Sequence, residues 1–319
     1  MSRPQPNQVS RVGVIGAGVI GGGWTAYFLS RGMDVVAFDP APGAEGKLRA
    51  FVDRAWFALE ALGLQPGASP QRLHFAQSLE DAVSDVEFVQ ENAPERLEVK
   101  IDVLAQIDHA APPEIVIGSS TSGYAMSEMQ VKCKHPERTV VAHPFNPPYL
   151  VPLVEVVGGK QTDPALVDWA IDFYNAIGKY GLRCSHELPG FVANRVQEAM
   201  WREALHMIAN NEATVEEIDA AVTYGPGLRW PIFGPLLTFH LAGGEGGMGH
   251  MLDHFNPELF ATWTRLQSPP ITKEFRDRMV EGCESEAAGR SIQDLERERD
   301  ECLVGILKFM NEYRAKKVK

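Results

Sequence analysis

Between Arg11 and about Ser185, short apolar runs alternate with stretches whose apolar residues recur every three or four positions. The runs Val12–Ile15, Val35–Asp39, Leu73–Ala76, Phe88–Glu91, Ile115–Ser119, Thr139–His143 and Leu153–Val157 predict strands. Most lack strict polar–apolar alternation, the mark of strands covered on both faces in a parallel sheet. Between the second and third runs, Leu48, Phe51, Val52, Ala55, Leu59 and Leu62 make one apolar stripe and predict a long helix. This alternation specifies an α/β fold with a Rossmann-like, doubly wound and mostly parallel sheet.

After HELPGF (His186–Phe191) only helical patterns follow: Val192–Asn210, Thr214–Thr223, Phe233–Ala242, Thr272–Gly282 and Ser291–Ala315. Thr214 and Glu217 have the spacing of a capping box. The domain boundary is placed at about Leu188, giving an α/β domain over residues 1–187 and an all-α C-terminal domain over residues 188–319.

The glycine cluster in RVGVIGAGVIGGGWTAYFLSRGMDVVAFDP (Arg11–Pro40) falls between the first strand and an apolar helix. Gly16, Ala17, Gly18, Val19, Ile20 and Gly21 spell G-x-G-x-x-G. In that context Gly16 permits a tight turn, Gly18 lets the backbone approach a pyrophosphate, and Gly21 lets the helix pack closely. Asp39 ends the second run about 20 residues on, where a carboxylate accepts from ribose hydroxyls and repels a 2′-phosphate. The expected cofactor is NAD, not NADP.

Ligands of such sheets gather at the carboxyl ends of the strands. GSSTSG (Gly118–Gly123) and His143 both fall there. Histidine as a residue type titrates near neutrality and suits a general base. Glu155, in the next apolar run, is a candidate to orient its other nitrogen. Such a pair suits removal of a hydroxyl proton while hydride leaves the same carbon; a core histidine bonded to backbone is the alternative at this point.

Composition narrows the partners. Thirty Lys and Arg stand against 42 Asp and Glu, for a formal charge of −12. Such a surface repels phosphate backbones and anionic lipid, so neither nucleic acid nor membrane is expected. The expected partner, from the nucleotide loop and the His143–Glu155 pair, is a small-molecule substrate. The polar N-terminus MSRPQPNQVS reads as a frayed leader and not a secretory signal. The four cysteines, Cys133, Cys184, Cys283 and Cys302, lack C-x-x-C spacing and read as free thiols of a cytoplasmic protein. His250 and His254 beside Asp253 have no metalloprotease motif, and their glycine-rich approach argues against a helix there; no metal is expected. The charges of DLERERDE (Asp294–Glu301) fit a solvated helix face.

HPFNPPYLVPLVEVV, from His143, and PGFVANR (Pro189–Arg195) resemble signatures of the 3-hydroxyacyl-CoA dehydrogenase family. QENAPERLEVK (Gln90–Lys100) and GSSTSG resemble it too, in the same order, and the resemblance runs from Arg11 to about Gly247. It implies His143 as base, Glu155 as its orienting carboxylate, and Ser122 and Asn194 as donors to the reacting oxygen. It further implies that Glu95, Lys100, Ser122 and Asn146 line the nicotinamide half of the NAD site. A homodimer formed through the helical domain, which would also carry substrate residues, is implied as well.

The chain departs from the CoA-using members in the Pro40–Glu60 stretch and in its C-terminal half. Pro40–Glu60 carries no convincing match to their CoA-binding residues, and Ala221–Gly247 is replaced, as is the C-terminal cofactor contact. The departures resemble a subgroup that oxidises small free hydroxy acids and includes lambda-crystallin. GLRW, LAGGEGGM and TWTRL resemble its members that act on L-carnitine. A quaternary ammonium donates no hydrogen bond and is held by aromatic faces. Trp201, Trp230, Phe233 and Trp263 are candidates for that task, and Arg229 for the carboxylate. L-Gulonate, a short 3-hydroxyacyl-CoA, and a crystallin-like structural role that merely retains NAD stay open beside this expectation.

Overall fold

The computed structural model describes residues 3–254, 264, 272–275, 277, 278, 280 and 287–317. The chain divides into two compact units, Met1–Arg195 with Asp300–Lys308, and Val196–Arg299 with Phe309–Lys319.

The first unit holds an eight-stranded sheet: β1 (Arg11–Ile15), β2 (Asp34–Phe38), β3 (Leu73–Phe75), β4 (Phe88–Glu91), β5 (Val116–Ser119), β6 (Thr139–Pro144), β7 (Leu153–Gly158) and β8 (Tyr180–Arg183). Their order is β3-β2-β1-β4-β5-β6-β7-β8. The first six are parallel; β7 runs antiparallel to β6, and β8 parallel to β7. The run 3-2-1-4-5-6 is the dinucleotide-binding order, with its crevice where the order reverses between β1 and β4.

Alternation along the strands sorts the core onto two faces. Val12 and Val14 of β1, Phe88, Val116, Val140, Ala142, Val154 and Val156 pack with helices α1 (Val19–Ser30), α2 (Ala44–Leu62) and, later in the chain, Pro164–Ala176. Ile15, Val36, Val89, Ile117, Val141 and Val157 pack on the other face, against α3 (Leu79–Val83), α4 (Leu97–Ala110) and α5 (Met126–Met129). The Pro164–Ala176 helix is α6. By the same alternation Glu91, Ser119, His143 and Glu155 all belong to the second face. Four polar residues thus stand at the strand ends of one side of an otherwise apolar layer.

The seven expected strands form, within a residue or two of their expected limits. β8 was not expected. Its sequence YGLR is exposed at both ends and offers no apolar run, because it lies at the sheet edge.

In the second unit, α7 (Ala193–Ala209) starts in the first unit and continues into the second. It is followed by α8 (Val215–Tyr224), α9 (Trp230–Ala242), α10 (Gly247–His254) and α11 (Ile292–Lys317), of which Asp300–Lys308 belongs to the first unit. The capping box forms: Glu217 N donates to Thr214 Oγ1 at 3.2 Å, and Thr214 N to Glu217 Oε2 at 2.8 Å. α9 begins earlier than expected and is broken at Gly234, whose φ of 71° is followed by Pro235. The glycine-rich approach to His250 and Asp253 does not prevent a helix there, contrary to expectation: Gly247 at φ 57° turns the chain, and α10 follows. Trp263, Cys283 and residues 276, 279, 281 and 282 of the helix expected over 272–282 lie outside the described residues, as does the side chain of Phe233. No described helix is long and apolar enough to cross a membrane.

Candidate active site

The glycine loop joins β1 to α1 at the crevice. Gly16 has φ 93°, and a Cβ there would lie 2.5 Å from the Asn92 carbonyl oxygen. A Cβ on Gly21 would lie 1.9 Å from the Gly16 carbonyl oxygen, so the helix can start here only without one. Gly18 faces open space, and no side chain caps α1. An uncapped helix start beside open space leaves backbone N–H groups to receive an anion. Asp39 follows β2 directly. Its Oδ2 accepts from Ala17 N and its Oδ1 from Ala41 N, each at 2.8 Å. A carboxylate has about four lone-pair sites, so both oxygens retain capacity for ribose hydroxyls. These residues fit the pyrophosphate and adenosine ribose of a dinucleotide.

The next strand ends carry a network that the sequence showed only in part. Glu91, fully buried at the end of β4, accepts from Lys100 Nζ at 3.1 and 3.3 Å, from the Ser119 hydroxyl and from Ala93 N. Lys100, 1% exposed, also donates to the Ala93 carbonyl at 3.1 Å and pairs with Glu95 at 3.4 Å. Glu95 in turn accepts from the Thr121 hydroxyl at 2.7 Å and from Ser122 N at 2.9 Å. The lysine ammonium is therefore committed to acceptors within the chain, and its effect on the surface is to hold Glu95 against Thr121 and Ser122. Glu91 was not among the expected site residues; an acid closing the strand FVQE was the available signal.

On the opposite face a second buried network braces the same strand ends. Ser120 Oγ accepts from Trp24 Nε1 at 3.2 Å and Gln90 Nε2 at 2.8 Å, and donates to Asn92 Oδ1 at 2.7 Å. Gln90 also accepts from the Tyr174 hydroxyl at 2.5 Å. Every polar group here has a partner, which fixes the rotamers around the crevice.

His143 and Glu155 are direct register partners across the antiparallel β6–β7 pair. His143 Nδ1 lies 2.9 Å from Glu155 Oε2, with His143 4% exposed and Glu155 fully buried. The other carboxylate oxygen accepts from Val192 N and Ala193 N, both at 2.9 Å, at the start of α7. The turn that aims them uses Gly190 at φ 70° and Phe191 at φ 51°. A left-handed phenylalanine is costly and needs strong packing to persist. Phe191 is 1% exposed, with its ring 5.5 Å from that of His143.

Burial pushes the Glu155 carboxyl up, but the hydrogen bonds from His143, Ala193 and Val192 outweigh it and hold the group below the ordinary carboxylate range. An ionised Glu155 makes Nδ1 the donor, so Nε2 of the neutral ring carries the lone pair. Cys184, whose Sγ is 3.9 Å from Glu155 Oε1, is pushed up to about 11 by burial and the adjacent carboxylate, which keeps it a thiol.

Asn194 Nδ2 donates to the Ser122 carbonyl at 3.0 Å, bringing those two expected residues together. Asn146 is exposed on the loop after β6. Trp201 is 52% exposed, Arg229 is exposed and Trp230 half-buried, all in the second unit.

Comparison with known proteins agrees with this architecture. The family described as "3-hydroxyacyl-CoA dehydrogenase, NAD binding domain" matches residues 11–187, and "3-hydroxyacyl-CoA dehydrogenase, C-terminal domain" matches residues 190–279. An L-carnitine dehydrogenase of Nocardiopsis dassonvillei is 60% identical over 98% of this chain and 94% of its own. Another, of Streptomyces griseus, is 59% identical over 95% and 90%. A solved 5-formyl-3-hydroxy-2-methylpyridine 4-carboxylic acid 5-dehydrogenase, an NAD+ dependent dismutase, superposes with a TM-score of 0.79 at 29% identity, covering 95% of this chain and 99% of that one. Matches that span both parts of the chain, with the nucleotide loop and its aspartate already in place, show that this protein is an NAD-dependent oxidoreductase belonging to the 3-hydroxyacyl-CoA dehydrogenase family.

Proposed function

We propose that the protein oxidises the 3-hydroxyl of L-carnitine to give 3-dehydrocarnitine, with His143 as the base. The His143–Glu155 pair is the observation that carries the chemistry. Relatives called L-carnitine dehydrogenase, 60% and 59% identical over nearly the whole chain, support the substrate. NAD, when bound, accepts the hydride from C3. His143 Nε2 takes the hydroxyl proton, and Glu155 stabilises the imidazolium and fixes the ring. The Ser122 hydroxyl and the Asn194 amide orient the reacting oxygen without titrating.

Gly16, Gly18 and Gly21, with the backbone of Ala17, Val19 and Ile20, cradle the pyrophosphate, and Asp39 takes the ribose. Glu95, Lys100, Ser122 and Asn146 define the nicotinamide end, with Lys100 acting through Glu95. Trp201, Trp230 and Phe233 are proposed for the ammonium and Arg229 for the carboxylate, on residue chemistry and sequence spacing. Residues 1–187 are the nucleotide-binding domain, residues 188–319 the substrate and dimerisation domain, and the working form is a cytoplasmic homodimer. A purely structural role has no use for a buried histidine held on an ionised carboxylate.

The test follows NAD+ reduction by absorbance at mildly alkaline pH. Its substrates are L-carnitine, D-carnitine, L-gulonate, L-3-hydroxybutyrate and 3-hydroxybutyryl-CoA at matched concentrations. Turnover confined to L-carnitine is expected. Preference for gulonate or the CoA ester would overturn the substrate reading, and no turnover of any of them would favour the structural role.

A further inference from the structure

Lys179, between α6 and β8, is a buried cation that the chemistry above does not use. It is 7% exposed, and among the described residues no carboxylate forms an ion pair with it. Its ammonium lies 3.7 Å from the centre of the Tyr27 ring and 5.3 Å from that of Trp24, both on α1. It donates to the Pro148 carbonyl, and to the Val151 carbonyl at 3.1 Å. Burial, and then the charge of Arg31, hold it well below the ordinary lysine range. A methionine would fill similar space without burying a charge. What the ammonium adds is a pair of fixed bonds to the loop between β6 and β7.

That loop carries Asn146 near its start and is pinned to α1 from a second direction. A Cβ on Gly23 of α1 would lie 2.7 Å from Pro148, so the absent side chain sets how closely the loop approaches. A third tether runs from the Tyr149 hydroxyl to the Asp300 carboxylate.

We propose that Lys179 is a positioning residue for the oxidation: it clamps the 146–151 loop onto the nucleotide-binding helix and thereby sets where Asn146 meets the nicotinamide end of the cofactor. The inference rests on the reading of Asn146 given above. The clamp joins the helix that opens the pyrophosphate loop to the loop that follows the catalytic histidine, so loosening it displaces one end of the cofactor site relative to the other. Misplacements of about 1 Å cost on the order of a hundredfold in rate.

The test uses the full-length protein and three variants, with turnover, NAD+ affinity and affinity for ADP-ribose as readouts. ADP-ribose keeps the adenosine and pyrophosphate of the cofactor and lacks the nicotinamide. Lys179→Met is expected to lower turnover roughly tenfold to a hundredfold and to weaken NAD+, with ADP-ribose affinity unchanged. Gly23→Ala pushes Pro148 from the other side without touching the buried charge, favours the helix intrinsically, and is expected to give the same split. It decides the matter if Lys179→Met does not fold.

Asn146→Ala separates the two readings. Loss of turnover in Asn146→Ala with wild-type behaviour in Lys179→Met, or in Gly23→Ala if Lys179→Met does not fold, overturns the clamp alone. Wild-type behaviour in Asn146→Ala overturns the nicotinamide reading and the clamp with it. A proportional loss of ADP-ribose and NAD+ affinity in the clamp variants also overturns the proposal, since it marks general loosening of the fold.

Discussion

Two buried carboxylates stand on the same face of the sheet, each at a strand end and each beside a basic group, yet they are built for different work. Glu155 faces a histidine ring, and its second oxygen accepts from two backbone N–H groups. Glu91 has a lysine, a serine hydroxyl and one backbone N–H. In the proposed mechanism the first arrangement keeps a full charge ready for a proton that comes and goes. The second is a static anchor whose charge is balanced within the chain. Neighbouring carboxylates on one layer thus take opposite roles according to the basic group that each faces.

The comparison is broken most severely by His143→Asn. Turnover is expected to fall by about a hundredfold to ten-thousandfold, or about 2.7–5.5 kcal/mol, the usual worth of general base catalysis. NAD+ affinity, measured by fluorescence titration, should stay near that of the wild type. Unchanged turnover in a folded variant would remove His143 from the mechanism.

Lys100→Met is expected to act on stability, because it leaves Glu91 buried without its cation. Such losses run to about 3–5 kcal/mol, read as a lowered denaturation midpoint. Adding Glu91→Gln should recover part of it. A double variant as unstable as the sum of the singles would show that the two residues do not form a unit.

Glu155→Gln is expected to cost on the order of a hundredfold in turnover, at the low end of the histidine effect, because the base remains but is poorly oriented. Its smallest signature is in stability against pH. A carboxyl held below its ordinary range stabilises the fold above the unfolded value of about 4.3, and that contribution is lost as pH falls through the lowered value. The wild type should therefore lose stability on acidification more steeply than Glu155→Gln. Parallel stability curves would mean that the N–H groups of Val192 and Ala193 do not favour the ionised form.

The apolar pattern reached the strands that are buried in the sheet, and it failed where burial fails. Tyr180 and Arg183 of β8 are exposed, so that edge strand carries no hydrophobic signature. His143 and Glu155 could be read together because they occupy consecutive strands, and the antiparallel turn makes them opposite. Glu91 escaped notice because its lysine arrives nine residues later on α4, and only folding that helix over the sheet closes the pair. Lys179 left no local signal, since its acceptors are backbone carbonyls some thirty residues earlier. The break in α9 was written as Gly234–Pro235, but the apolar residues on both sides masked it.

Asp39 also has a task before any ligand arrives. By accepting the Ala17 N–H and the Ala41 N–H, it ties the end of β2 to the glycine loop and holds that loop in its bent shape. A receptor already in its bound conformation loses little backbone entropy when it is filled, so more of the contact energy remains as affinity. In the proposed function the aspartate is then both the group that takes the ribose and the latch that keeps its own doorway open.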